Sequence, residues 1–271
     1  MDQPAGRASF GTLLRQWRRL RGLSQLDLSL KAGVSTRHLS WLEGDRAAPS
    51  RAMAIRLATQ LALPMRDGNA LLAAAGYAPM WAERPLGHPA LAPARAALQR
   101  LLEAHEPAPA LAVDRLWNLV AHNRMVALLL APVAQAEPAL LQPPANMLRL
   151  TLHPRGLAPM IEDVPAWRAQ VLQRLARQVG ASGDPALRAL HAELSALPLP
   201  EGVTAAAPHA DDAVIVPLVL ATPLGRMSFL TTVTVFGAPH DVTLAELAVE
   251  TLLPADEATA RMLREALAAA A

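Results

Sequence analysis

The stretch Leu23–Ser50, LSQLDLSLKAGVSTRHLSWLEGDRAAPS, constrains the fold more than any other part of the chain. Ser24 is a good N-cap, and Asp27 three residues on completes a short-chain capping box. Leu26, Leu28 and Leu30 carry that helix to about Ala32. Gly33 follows, where a glycine can take a positive φ and let the chain turn sharply, and Val34 can plug the turn. Ser35 caps a third helix, Thr36–Leu42, with Leu39 and Leu42 on its apolar face, and Gly44 closes it. Upstream, Phe10, Leu13, Leu14, Trp17 and Leu20 recur at helical spacing with Arg15, Arg18, Arg19 and Arg21 between them, ending at Gly22. Downstream, Pro49–Ser50 opens a fourth helix carrying Met53, Ile55, Leu57 and Leu61. A fifth runs from about Arg66 to Ala75 and stops at Gly76.

Two short helices joined by a tight glycine turn, inside a five-helix unit, describe a helix-turn-helix. Charge agrees: residues 1–84 hold 12 Arg or Lys against 6 Asp or Glu, and residues 85–271 hold 13 against 17. A basic first part and an acidic remainder suggest a polyanion partner for the first alone. Arg supplies nearly all the positive charge, Lys31 being the only lysine, and the Ala, Leu and Pro bias looks like GC-rich coding, so the Arg count by itself is weak evidence.

The run Ser24-Gln25, Leu28, Gly33-Val34-Ser35, Leu39-Ser40, Leu42-Glu43 and Gly44 resembles the Xre/Cro-type bacterial and phage repressors. The resemblance implies that the third helix enters the major groove of duplex DNA, with Ser35, Thr36, Arg37 and His38 leading and Trp41 one turn later. Arg37 suits a guanine edge, which Arg can pair in two ways; a surface pair with a nearby acid is the plainer reading. Thr36 and Trp41 offer apolar contact to a thymine methyl, with partial burial as the alternative for Trp41. Gln25 resembles the residue that clamps a backbone phosphate in this family. Arg46, Ser50 and Arg19 would add phosphate contacts, which position rather than specify. Glu43 is structural by the same resemblance, paired with Arg18.

Beyond the first domain, residues 1–84, lies a Pro-rich linker with a short helix, residues 85–107: Pro79, Pro85, Pro89 and Pro93 stiffen the approach and Arg95–His105 reads as helical. In residues 108–271 the pattern predicts strands at Leu111–Val113 and Leu116–Val120. It predicts a helix capped by Asn123 through Leu130, and helices at Asn146–His153, Pro165–Val179 and Pro185–Leu197. Strands follow at Ala213–Thr222 and Met227–Phe236, then Asp241–Leu253 as a strand with a helix as the alternative, and a terminal helix Asp256–Ala270. That order of elements resembles a PAS-type sensor fold, an antiparallel sheet covered by helices. The segments ALAVDRLWNLVAHN, NMLRLTLHPRGLAP, AWRAQVLQRLARQ and SFLTTVTVFGAPHDVTLAELAVETLLPADEAT are similar to the ligand-binding domain of MmyB-like transcription regulators. The resemblance implies a small apolar ligand, a fatty acid being the expected one.

A pocket would draw on Met227, Phe229, Thr231 and Val233 from one strand, Val216 and Leu218 from its neighbour, and Leu148, Leu152 and Trp167 from helices. Arg149 and His153 would supply polar groups. Plain core packing accounts for the apolar residues equally well. The competing reading of the whole second domain is an oligomerisation module, and in either case a homodimer is expected.

The sequence points away from other classes. There is no cysteine, hence no disulfide, thiol catalysis or Cys-based zinc site. His209, Asp211 and Asp212 read as a polar loop before a strand, and no metal is expected. No G-x-S-x-G, P-loop or G-x-G-x-x-G is present, so no enzyme is expected. With no signal peptide and no apolar run of about 18 residues, neither membrane insertion nor export is expected, and the cytoplasm is the expected compartment.

Overall fold

The computed structural model describes residues 8–200 and 217–270. The chain separates into two compact units. One is Met1–Pro85 with Gly180–Gly183 and Ala238–Ala245; the other is Leu86–Val179, Asp184–Gly237 and Glu246–Ala271.

The first unit contains helices α1 (Phe10–Leu20), α2 (Gln25–Ala32), α3 (Thr36–Glu43), α4 (Arg51–Gln60) and α5 (Met65–Ala74). A serine caps each of the first four: the side chains of Ser9, Ser24, Ser35 and Ser50 accept from the backbone N–H of Thr12, Asp27, His38 and Met53. The Ser24–Asp27 capping box forms in both directions, and Gly33 turns the chain at φ 63°. Leu14, Leu28, Leu39, Leu42, Leu57, Leu61, Leu71 and Leu72 form the buried centre.

The expected Arg18–Glu43 pair is present and is part of a larger network. Arg18 donates from Nε and Nη2 to the two Glu43 carboxylate oxygens at 2.6 and 2.9 Å. Gln25 Nε2 donates to Glu43 Oε2 at 2.9 Å. Arg15 Nη2 donates to the Glu43 carbonyl at 2.6 Å. One buried acid thereby ties the ends of α1, α2 and α3. Gly11 completes the junction: a Cβ there would lie 2.5 Å from the Leu42 carbonyl oxygen, so only glycine lets α1 approach the end of α3 this closely.

The second unit is a five-stranded sheet of β1 (Ala110–Val113), β2 (Leu119–His122), β3 (Leu218–Thr222), β4 (Gly225–Val235) and β5 (Ala248–Pro254). The order is β2-β1-β5-β4-β3, with every neighbouring pair antiparallel. β5 joins the early hairpin to the late one: Glu250 stands between Leu111 on β1 and Val233 on β4. The helices are α6 (Ala92–Ala104), α7 (Arg124–Ala136), α8 (Met147–Leu152), α9 (Val164–Ser182), α10 (Pro185–Ala196) and α12 (Glu257–Ala269). The one-turn α11 (Val242–Ala245) falls in the first unit. Met125, Leu150, Leu175, Met227, Phe229 and Leu263 are fully buried in one core. The architecture is thus a helical bundle plus an antiparallel sheet with helices, as the sequence predicts.

Several boundaries differ for physical reasons. β2 starts at Leu119 rather than Leu116 because residues 114–118 form a turn. The Asp114 carboxylate accepts from the N–H groups of Leu116 and Asn118 and from Asn118 Nδ2, and Trp117 sits at φ 68°. α7 continues six residues past Leu130, carrying Pro132 inside it. The expected strand from Asp241 begins only at Ala248, since α11 precedes it. Ala213–Val216, the expected start of the third strand, lie outside the described residues, as do His209, Asp211 and Asp212.

The Glu43 network makes a prediction about stability. Burial pushes the carboxyl pKa up, but the hydrogen bonds from Arg18 and Gln25 and the charges of Arg18 and Arg15 outweigh it, and the net shift is downward. A carboxyl whose folded pKa lies below its unfolded value adds stability at neutral pH. That increment is lost as the pH falls from about 4 toward the folded value. Arg18→Met removes the two closest donors of a buried carboxylate, leaving Gln25 and the more distant Arg15, and is expected to cost the first unit about 3 kcal/mol at pH 7. Glu43→Gln should flatten the acid limb of its pH–stability curve. Urea melts of both variants between pH 3 and 7 check this; an unchanged acid limb in Glu43→Gln would contradict it.

Candidate functional site

The first site is the exposed face of α3. Ser35, Thr36, Arg37 and Trp41 are exposed and His38 is half-buried. Trp41 is 40% exposed and is not among the residues of the buried core of this unit. The Arg37 guanidinium lies over the Trp41 ring at 4.7 Å, one helical turn away. Arg37 is therefore held against an aromatic face, and among the described residues no acid pairs with it. The Thr36 hydroxyl lies 3.0 Å from that of Ser29, which anchors the start of α3 to α2. Arg19, Arg46 and Ser50 are exposed. Gln25 is half-buried, with one amide N–H spent on Glu43; Nε2 carries a second.

The second site is a cavity of about 60 Å³ between the sheet and its helices in the second unit. Of the residues expected to form a pocket, Leu148, Trp167, Leu218 and Thr231 line it. Leu152, Met227 and Phe229 are buried in the core but are not on the cavity wall. Val233 is 51% exposed, and among the described residues β3 pairs with β4 as far as Phe229. Val216 lies outside the described residues.

The expected polar groups are elsewhere. Arg149 donates to both carboxylate oxygens of Glu193 at 2.6 and 2.8 Å. That pairing raises the Arg149 pKa and lowers that of Glu193. His153 Nδ1 accepts from the Arg155 backbone N–H at 3.1 Å, and Arg155 pairs with Glu137 at 2.7 Å. None of these lines the cavity. Its charged residues are instead Arg174 on α9 and Glu250 on β5. They pair at 2.8 Å, and the Arg174 guanidinium stacks on Trp117 at 4.2 Å.

The sequence reading missed Arg174 and Glu250, although a signal existed. Trp167, Val171 and Arg174 recur at helical spacing on α9, so an arginine shares the face of two cavity residues. Glu250 sits in the apolar run AVETLLP of β5, where a lone acid in a central strand needs a cation.

Among the described residues, no group of His, Asp or Glu is arranged to hold a metal, and no helix is long and apolar enough to cross a membrane.

Residues 9–71 match the model of a helix-turn-helix domain. No curated protein matches the chain. A solved structure titled "Structure of an RNA-binding Light-Oxygen-Voltage Receptor" is similar at 16% identity and a TM-score of 0.27, covering 97% of this chain and 64% of that one. The chain therefore spans less than two thirds of that protein. Residues 94–266, well over half of the chain, match the model described as the MmyB-like transcription regulator ligand binding domain, and with the helix-turn-helix ahead of it the chain belongs to the MmyB-like transcription regulators.

Proposed function

We propose that this protein is a cytoplasmic homodimeric regulator of the Xre/Cro type, which reads duplex DNA with α3 and responds to a small apolar molecule held by its second unit. The stacked Arg37–Trp41 pair on the exposed face of α3 carries the DNA half of this reading. Stacking limits the rotamers of Arg37 before it meets a base, so less conformational entropy is lost on binding. Arg37 pairs with a guanine edge, while Ser35, Thr36, His38 and Trp41 meet neighbouring bases or sugars. Arg19, Arg46, the Ser50 hydroxyl and the second N–H of Gln25 Nε2 hold phosphates. A single such unit buries too little surface to select one site, which argues for two copies on a two-fold operator.

The cavity between sheet and helices supports the ligand half. At about 60 Å³ it is well short of the roughly 300–1,000 Å³ usual for ligand sites. A long-chain fatty acid, the ligand the family resemblance implies, would enter only as the wall side chains part.

Arg37→Ala is expected to cost roughly 1–3 kcal/mol on the cognate site and to relax preference at one base pair. Arg46→Ala should weaken all sequences about equally. Footprinting with both variants distinguishes the roles; a sequence-blind loss for Arg37→Ala would remove it as a base reader.

Sedimentation of the full chain should give a dimer at micromolar concentration, and C12–C18 acids should raise its melting temperature. A dimer whose melting is indifferent to every acid would favour a second domain that only oligomerises.

A further inference from the structure

Trp167 lies on α9 with its side chain in the cavity wall and is 6% exposed. Its indole Nε1–H is buried and has no hydrogen-bond partner among the described residues. Indole nitrogen is a donor only, and a buried donor left unmade costs far more than a made one returns. The other tryptophan of this region shows the usual solution: Trp117 Nε1 donates to Gln178 Oε1 at 2.8 Å. Gln170 Oε1, on the same helix as Trp167, is also buried without a partner, yet the two do not pair, and Gln170 is not on the cavity wall. The rest of the wall is largely aliphatic, with Leu111, Leu129, Leu148 and Leu218 among its members. An unmatched donor thus belongs to a residue in the wall of a largely apolar space.

The charged groups of the cavity do not make the same demand. Arg174 already holds Glu250 and stacks on Trp117. It lies two helical turns from Trp167, about 10 Å along the axis. A ligand therefore needs no charge to satisfy the wall; it needs one acceptor near Trp167.

We propose that Trp167 donates its indole N–H to a carbonyl oxygen of the bound molecule, so that the site selects an apolar chain carrying an acid or ester group over a hydrocarbon of the same length. The inference rests on the reading of this cavity as the ligand site. It makes Trp167 a specificity-determining residue, with the aliphatic wall supplying most of the affinity and the indole N–H supplying the choice.

Titration calorimetry of the full chain and of Trp167→Phe with decanoic acid, methyl decanoate and decane tests this. Phenylalanine keeps an aromatic body and removes the donor. The native protein should bind the acid and the ester at least about fivefold more tightly than decane. Trp167→Phe should bind all three within about twofold of one another, with decane affinity unchanged. A difference between acid and ester in the native protein identifies which source of the carbonyl the site prefers. A preference for oxygen that survives in Trp167→Phe overturns the proposal, as does a native protein that binds decane as well as the ester. Failure of the native protein to bind any of the three overturns the ligand reading itself and the proposal with it. If Trp167→Phe does not fold, 15N-tryptophan labelling of the native protein gives the same answer. One indole N–H resonance must move downfield with the ester and stay in place with decane; if none does, the proposal fails.

Discussion

The DNA-binding unit depends on the buried carboxylate of Glu43. A charge taken out of water is costly unless paired and hydrogen-bonded. Here Arg18 covers both oxygens, Gln25 adds a third hydrogen bond and Arg15 takes the backbone carbonyl. These donors come from α1 and α2, while the acceptor ends α3. Satisfying one acid therefore sets the position of α3 against the two helices before it. In the proposed readout, a rigid α3 lets the stacked Arg37–Trp41 pair present a fixed pattern to a base edge. In the proposed reading, stability and readout of this unit are linked through the buried Glu43.

The second unit meets a different constraint. β5 lies at the centre of the sheet and must bury a carboxylate, Glu250, which is 9% exposed. Arg174 reaches it from α9, and Trp117 covers the arginine. This matched group closes one region of the cavity, whereas Trp167 on the same helix remains unmatched. A wall that is satisfied at one place and short of an acceptor at another is better suited to taking up a molecule than to filling with side chains alone.

Local rules made the first unit almost fully legible in the sequence. Serine caps, the Ser24–Asp27 box and the positive φ of Gly33 act within a few residues, so helix positions and the Arg18–Glu43 pair followed from spacing and resemblance. The Gly11 contact did not, because it depends on the approach of α1 to a carbonyl more than thirty residues away. In the second unit the helices and strands were largely legible, but their pairing was not. Strand alternation and helical spacing mark faces, and Thr231, Leu218, Leu148 and Trp167 line the cavity. Arg149 and His153 are engaged outside the cavity, since an arginine near an apolar run shows charge but not partner. Arg174 and Glu250 form a pair across 76 residues, invisible until α9 is laid on β5. The turn at Asp114–Asn118 displaced β2 for a similar reason: three hydrogen bonds to one carboxylate override the β propensity of the residues between.

In the proposed regulator, occupancy of the second unit alters DNA binding by the first. The most direct measurement is the affinity of the full chain for its selected operator, by fluorescence anisotropy, before and after the protein is stripped of apolar molecules and then reloaded with methyl decanoate or decanoic acid. Coupling of the usual size predicts a change of roughly 5- to 150-fold between the stripped and loaded states, reversed on reloading. Equal operator affinity in the two states, with the loaded molecule demonstrably bound, would contradict it.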